Sequence, residues 1–582
     1  MPAAPYLRHL PETLFNLPRN RLLLMLMALA ALIILSGIGL RSPWPADEPR
    51  FAEVAREMVA SGQWLLPMRG GELYPDKPPV FMWAIAFFYW LTGNLKLAFL
   101  LPNALCSLLT VALVFDLASR LWNQKTGAIA ALLLMLAPQF LIQAQKAQID
   151  AMVASWIMVA CYGLIRHFFV QASWGWYFLA WAFMGLGIIT KGVGFLPVFL
   201  FLPVLVLKWR DGTRFQGVLT WRCALGPLIM LAVVAAWLVP MWLAVDHLGT
   251  EEALTYRNNI LFKQTGERYA DAWGHLQPWD YYLTSVIPAL WFPLPLLLLA
   301  VLLPLLESLR RQPVVLTALV WVALVVVFFS ISPGKRGVYV LPALPLLALA
   351  LAPVITVHRP AAWFPPLMTG LHGLLALALI TVGILAWNDH PKLVDKVSDY
   401  TQDPARLHEA GTLVFCLGLI WLVSLGALWR AHALGRWFVA LMLSWLVFTV
   451  WGYRILEPLR TPRNVLLAAE QVVPVGGQIG MINFREQFIL FSQRDFTHFS
   501  YFSDTEQENR NAWQWMLETP DSYLIVADDK QLSCFVMEGA HPLGTAHRDA
   551  YVLLTDEQMT ERCETPERVL RFTTETPGAW QH

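Results

Sequence analysis

Two carboxylates stand side by side at Asp47-Glu48, with Arg50 just beyond them. The same polar stretch, residues 41–80, closes with Tyr74-Pro75-Asp76-Lys77-Pro78-Pro79. A positioned carboxylate can take a proton from an acceptor hydroxyl or orient it. Taken alone, Asp47 also reads as a helix N-cap, and Glu48 suits the positive end of a helix. Company favours the chemical reading. Asp76 lies in the same stretch on backbone restricted by prolines, and Asp150 opens a later apolar segment. The matching cations are Lys77, Arg268, Lys335 and Arg336. Such residues either snorkel to an interface or grip an anionic lipid head.

The turn Ser332-Pro333-Gly334-Lys335-Arg336-Gly337-Val338-Tyr339 joins two apolar segments. Lys191, between Thr190 and Gly192, is cheap at an outer turn and needs a partner if it lies deeper. His275 sits in a loop rich in polar and aromatic residues, 247–283. It is a candidate base or metal ligand with Asp76 or Asp47, although a lone loop histidine is more often neither.

These residues are carried by an unusually apolar chain. Of 582 residues, 57% are hydrophobic and 14% charged, against about 25% charged in ordinary soluble proteins. The chain therefore reads as a polytopic α-helical membrane protein. A net charge of +1 gives no field for nucleic acid. The 27 tryptophans suit membrane interfaces. No cleavable leader is expected, because the first apolar run, Leu22 to Leu40, is long enough to span. About thirteen spans are expected, near 22–40, 97–119, 127–145, 149–168, 174–190, 192–207, 223–246, 284–306, 314–331, 337–357, 363–387, 412–430 and 436–453. Arg8, Arg19 and Arg21 place the N-terminus in the cytoplasm. With that start, every short cytoplasmic loop carries or borders Arg or Lys, provided that residues 80–91 do not cross.

The outer side then gathers loop 41–96, loop 247–283, the turn near 332–336 and residues 454–582. An amphipathic helix from about Asp47 to Ala60 is expected to lie in the interface plane, with Glu53, Arg56 and Glu57 turned away from its apolar face. Residues 1–453 form the membrane domain, and 454–582 a small α/β domain. Its strands are expected at Ile479–Phe484, Phe488–Phe491, Phe496–Phe502 and Ser522–Ala527, with a helix near Glu506–Leu517. Cys534 and Cys563 fall in this domain and are able to pair if it lies outside the cell membrane.

The series Asp47-Glu48-Pro49-Arg50-Phe51-Ala52-Glu53, Tyr74-Pro75-Asp76-Lys77-Pro78-Pro79, Thr190-Lys191-Gly192 and Ser332…Lys335-Arg336…Tyr339…Leu341-Pro342 resembles the protein O-mannosyltransferase/aminoarabinose transferase superfamily. It is most similar to the bacterial branch that moves 4-amino-4-deoxy-L-arabinose from undecaprenyl phosphate to lipid A. The resemblance implies the GT-C architecture, a site on the periplasmic face of the inner membrane, a polyprenyl-phosphate-linked sugar donor, and a lipid, glycan or protein acceptor. It implies that Asp47 is the catalytic or acceptor-orienting acid, with Glu48 its neighbour, Arg50 a supporting cation and Asp150 a second acid. Lys77 would hold the lipid phosphate, with Tyr74, Arg268 and Tyr339 lining that site. No cofactor is required, and a divalent metal is compatible with the pattern. The chain departs from the branch at Pro75-Asp76, where Phe-Glu is usual, at Phe51, where Tyr is common, and in the turn at 332–342. The rival readings are a flippase or transporter of lipid-linked sugars and a non-catalytic scaffold. Transporters concentrate polar groups near the membrane midplane, whereas the charge here falls in loops.

Overall fold

Long apolar runs can bury their backbone polar groups only as helices, and helices dominate the chain. The computed structural model describes residues 17–210, 219–262, 275–398, 400–401 and 403–575. Among these, nine helices are long and apolar enough to cross a membrane, or up to eleven if each of two bent pairs is one span. The protein is a multi-span membrane protein, and among the described residues nine to eleven of the thirteen expected spans meet the length and composition of a crossing helix. The segment expected at 127–145 is Gln124–Leu136 followed by Pro138–Ala144, bent by 76°. That at 284–306 begins as Tyr282–Leu290 and Leu294–Ala300, bent by 100°. Proline sits at both breaks, Pro138 at the first and Pro293 and Pro295 at the second, where it removes a donor and crowds the preceding turn. Two further expected segments are helical but fall short. Arg19–Leu35 has only 17 residues, and Trp174–Lys191 is diluted by Trp174, Trp176, Trp181 and its terminal lysine.

One turn matters directly to the site. Trp174–Lys191 ends at Gly192, whose φ of 65° is left-handed. The chain then doubles back as the 3-10 helix Val193–Leu200. A Cβ on Gly194 would lie 2.3 Å from the carbonyl carbon of Gly187, so the two backbones touch. This close reversal fixes where Lys191 points.

Helix Glu48–Ser61 forms as expected, closed by Gly62 at φ 72°. Its surroundings differ from expectation. Glu53, Arg56 and Glu57 are buried, not turned to water. Arg56 donates to both Glu53 oxygens, at 2.7 and 2.9 Å. The hairpin β1 (Met68–Arg69) and β2 (Glu72–Leu73) lies over this helix, and Glu57 accepts from Gly70 N at 2.5 Å. Helix Val80–Thr92, 13 residues long, is too short to span, for which about 20 residues are needed. It packs beside Glu48–Ser61, with Phe51 and Phe81 edge to face at 5.1 Å.

The last apolar helix runs from Ala433 to Arg460 and leads into the C-terminal domain. There β3 (Gln478–Met481), β4 (Phe496–His498), β5 (Ser522–Ala527), β6 (His541–Ala546), β7 (Asp549–Leu554) and β8 (Phe572–Thr574) form one sheet in the order β6-β7-β5-β3-β4-β8. The β3–β4 and β3–β5 pairs are parallel, and the other neighbours antiparallel. The expected helix is Thr505–Glu518. Phe488–Phe491 is not a strand but the end of helix Glu486–Phe491. A short apolar run fits either structure by periodicity, and here tertiary packing decides. Cys534 and Cys563 form a disulfide.

Inside this domain, Glu508 is 4% exposed and accepts from Asn483 N at 2.5 Å. Burial pushes its carboxyl up to about 8, against the opposing hydrogen bond. A carboxyl raised on folding stabilises below its unfolded value, near 4.5, and that contribution is lost as pH rises through about 8. Thermal unfolding of the full chain in detergent should therefore show the Tm of this domain falling from pH 5 to pH 8. Glu508→Gln should flatten that slope.

Candidate active site

Asp47 stands at the N-cap of Glu48–Ser61, yet its side chain makes no capping hydrogen bond. Its carboxylate turns instead toward two other segments. It accepts from Arg336 Nη2 at 2.7 Å and from Gln148 Nε2 at 2.7 Å. Burial alone would push the Asp47 carboxyl up. The charge and hydrogen bond of Arg336, the hydrogen bond of Gln148 and the charge of Arg50 outweigh it and hold the pKa at about 2. Asp47 is thus an anion at neutral pH. The helix-cap reading of this residue is overturned.

Glu48 serves another purpose. It is 1% exposed, and its carboxylate takes Arg41 Nη2 at 2.7 Å, Trp44 N at 2.8 Å and Ala147 N at 2.9 Å. Its oxygens are occupied by protein donors, so the expected catalytic role for Glu48 gives way to one of holding the loop. Arg41, which the sequence reading passed over, also donates to Gln145 O at 2.8 Å. Gln145 in turn caps the end of the first helix through Ile34 O at 2.9 Å. The polar run Gln143-Ala144-Gln145-Lys146-Ala147-Gln148 between two apolar segments was the available signal for this bend.

Asp150 lies in the first turn of Ile149–Ile165, two residues past Gln148. It is 6% exposed and ion-paired with Lys191. The Lys191 ammonium sits 4.3 Å from the Tyr339 ring centroid. Lys191 is thus partnered, which answers the question its sequence position raised. The basic turn splits its two cations. Arg336 reaches Asp47, whereas Lys335 is buried and donates to Gln277 O at 3.0 Å. The turn is held by pairing with the second loop, Lys335 N to His275 O at 3.0 Å and Gln277 N to Pro333 O at 3.3 Å.

Tyr74 is fully buried, and its hydroxyl has no hydrogen-bond partner among the described residues. Arg69 stacks 5.2 Å from its ring. Asp76 and Lys77 follow, half-buried, with Lys77 Nζ donating to Asp76 O at 2.8 Å. Arg50 pairs with Glu486 of the C-terminal domain at 3.1 Å. Arg268 lies outside the described residues. Among the described residues no three of His, Cys, Asp or Glu gather to hold a metal ion, around His275 and Asp76 or elsewhere.

The site therefore sets two carboxylates, each with its own cation, beside a cation-rich loop. Such an arrangement can bind anionic groups and orient an attacking oxygen. Residues 76–238 match the family described as Dolichyl-phosphate-mannose-protein mannosyltransferase. An undecaprenyl phosphate-alpha-4-amino-4-deoxy-L-arabinose arabinosyl transferase of Pseudomonas fluorescens is 32% identical over 71% of this chain and 73% of its own length. One from Pseudomonas aeruginosa is 31% identical over 74% of each. The chain belongs to this arabinosyl transferase family. It is a membrane glycosyltransferase with the GT-C architecture of that family. The crystal structure of ArnT from Cupriavidus metallidurans bound to undecaprenyl phosphate has the same fold, with a TM-score of 0.70 at 20% identity, covering 93% of this chain and 99% of that one. A likeness over 93% of the chain exceeds residues 1–453, so the shared fold includes part of the C-terminal domain.

The assignment of Glu48 to the scaffold has a direct test. Glu48→Ala leaves Arg41 buried without its partner, which should destabilise the protein by about 3–5 kcal/mol. Activity per folded molecule should fall only severalfold. Thermal unfolding and activity normalised to folded protein measure the two effects.

Proposed function

We propose that the protein transfers 4-amino-4-deoxy-L-arabinose from undecaprenyl phosphate to a phosphate of lipid A, on the periplasmic face of the inner membrane. The sugar and its lipid carrier are those in the names of its relatives. The observation that carries the site is the Asp47 carboxylate, held between Arg336 and Gln148 where a helix cap would otherwise claim it.

In this reading the acceptor oxygen attacks the anomeric carbon and the bond to the lipid phosphate oxygen breaks. The configuration at that carbon inverts. Lys77, together with Arg268 by resemblance, stabilises the leaving phosphate. Asp47, with Arg50 and Arg336, positions the acceptor group, and Asp150 lines the opposite wall with Lys191. A carboxylate with a pKa of about 2 is a weak base. It suits an acceptor that is already ionised. A phosphate monoester is close to a dianion at pH 7 and becomes a diester on attack. The donor diester becomes a monoester in the same step. Charge is conserved without any proton transfer, so a strong base is not needed.

The orientation we propose puts the N-terminus in the cytoplasm and the C-terminal domain in the periplasm. The Cys534–Cys563 disulfide supports it, because disulfides persist in oxidising compartments. So does the cluster at the start of the first helix, where Arg19 and Arg120 both pair with Asp116, in the sense of the positive-inside bias. Asp116 lies beside the start of that helix, whereas Arg41 and Glu48 follow its end.

Asp47→Asn keeps the shape and removes the charge. Transfer of aminoarabinose from undecaprenyl phosphate to lipid A should fall at least a hundredfold, read by mass spectrometry of lipid A. The wild-type rate should show no limb from Asp47 between pH 5 and pH 8, since this group ionises near 2. Wild-type turnover by Asp47→Asn would sink the assignment.

A further inference from the structure

Among the contacts of the C-terminal domain with the first loop, one is made by a short helix, Glu486–Phe491. Leu490, on Glu486–Phe491, belongs to the apolar core of the first loop, together with Phe51, Val54 and Phe81. At the other end of that helix, Glu486 is 7% exposed. One of its oxygens accepts from Arg50 Nε at 3.1 Å and from Arg69 Nη1 at 3.2 Å. Arg50 lies three residues after Asp47 at the start of the loop helix, so the two side chains share a face. Its Nε is taken by Glu486, and its two Nη groups make no hydrogen bond among the described residues. Arg69 is fixed separately, 3.2 Å from the Tyr501 ring centroid.

We infer that Glu486 is a positioning residue for the transfer reaction: from the C-terminal domain it anchors Arg50 beside Asp47 and leaves the Arg50 Nη groups directed to substrate. This rests on the site reading given above and adds a function for the C-terminal domain. A free arginine side chain carries about 2 kcal/mol of rotamer entropy. Without its anchor, Arg50 is free to turn to the Asp47 carboxylate, whose charge it already feels and which already holds Arg336. Two guanidinium groups on one carboxylate would cancel the charge that orients the acceptor. Glu486 prevents this by giving Arg50 an anion of its own. Its place in the first turn of a helix suits a fixed carboxylate.

The test uses the full chain in detergent with undecaprenyl phosphate-linked aminoarabinose and lipid A. Glu486→Gln should lower kcat per folded molecule about tenfold or more, with the donor KM within about threefold of wild type and some loss of Tm, because the buried Arg69 loses the same anion. In an Arg50→Gln background, Glu486→Gln should produce no further loss. Glu470→Gln breaks the pair with Arg494 elsewhere in the same domain and should leave kcat unaltered. If Glu486→Gln fails to fold, Glu486→Asp keeps the charge and shortens the reach, and it should lose activity severalfold at wild-type Tm. Additive losses in the double variant, or wild-type kcat for Glu486→Gln, would overturn the inference. Asp47→Asn in the same preparation separates the two ideas. Activity retained there defeats the site reading itself. An inactive Asp47→Asn beside a fully active Glu486→Gln defeats only the role of Glu486.

Discussion

The buried ion pair between Arg41 and Glu48 is the constraint from which the site follows. It sits where the first helix leaves the apolar layer, and four segments converge on it. Arg41 binds Gln145 O, and Glu48 takes Ala147 N. Ser42 N and Trp44 Nε1 reach Glu457 on the last long helix, at 3.0 and 2.9 Å. Tyr453, one turn earlier, donates to Gln145 Oε1 at 2.8 Å. A buried pair of this kind adds little net stability over an apolar packing, because desolvation opposes the Coulomb gain. Its value is geometric. With Glu48 fixed, the preceding residue, Asp47, has one direction left to face, toward Gln148 and Arg336.

The division of labour between these neighbours explains the electrostatics. Both carboxylates are shielded from water, and each meets a guanidinium. Glu48 is enclosed by donors on all sides. Asp47 remains half-buried, with a second cation, Arg50, close by. The same contrast recurs in the basic turn, where Lys335 secures the loop and Arg336 faces the site. In each pair, one residue holds the backbone so that the other can be presented.

Much of this was legible in the sequence, for a physical reason. Charged residues are expensive in an apolar chain, so Asp47, Asp150, Lys191 and Arg336 stood out by type alone. Their grouping depended on which loops share one side, and the arginine and lysine pattern carries that information. Other features were hidden. The role of Glu48 turns on Arg41, and a partner seven residues away has no signature in a loop. Gln148 is uncharged and drew no attention, though the glutamine-rich run around it marked the bend. Helix Glu486–Phe491 read as a strand because Phe488-Ile489-Leu490-Phe491 is uniformly apolar. The burial of Glu53, Arg56 and Glu57 was hidden for a related reason: amphipathic spacing describes one helix and not the hairpin that folds over it. Of the thirteen expected spans, proline bends two, whereas the short Arg19–Leu35 and the tryptophan-rich Trp174–Lys191 fall below the length or hydropathy of the rest.

The contact between Glu486–Phe491 and the first loop has a consequence for the order of biosynthesis. The loop helix and its hairpin are among the earliest parts of the chain to be made, whereas their cover is made after every apolar helix. Domains fold largely as units as they emerge. Until the last part of the chain is complete, Arg69 and Arg50 lack Glu486, and the Gly70 carbonyl lacks His498, which contacts it at 2.7 Å. An early-synthesised segment is therefore among the last to reach its final form, and a chain cut before the C-terminal domain would carry the Asp47 site without its roof.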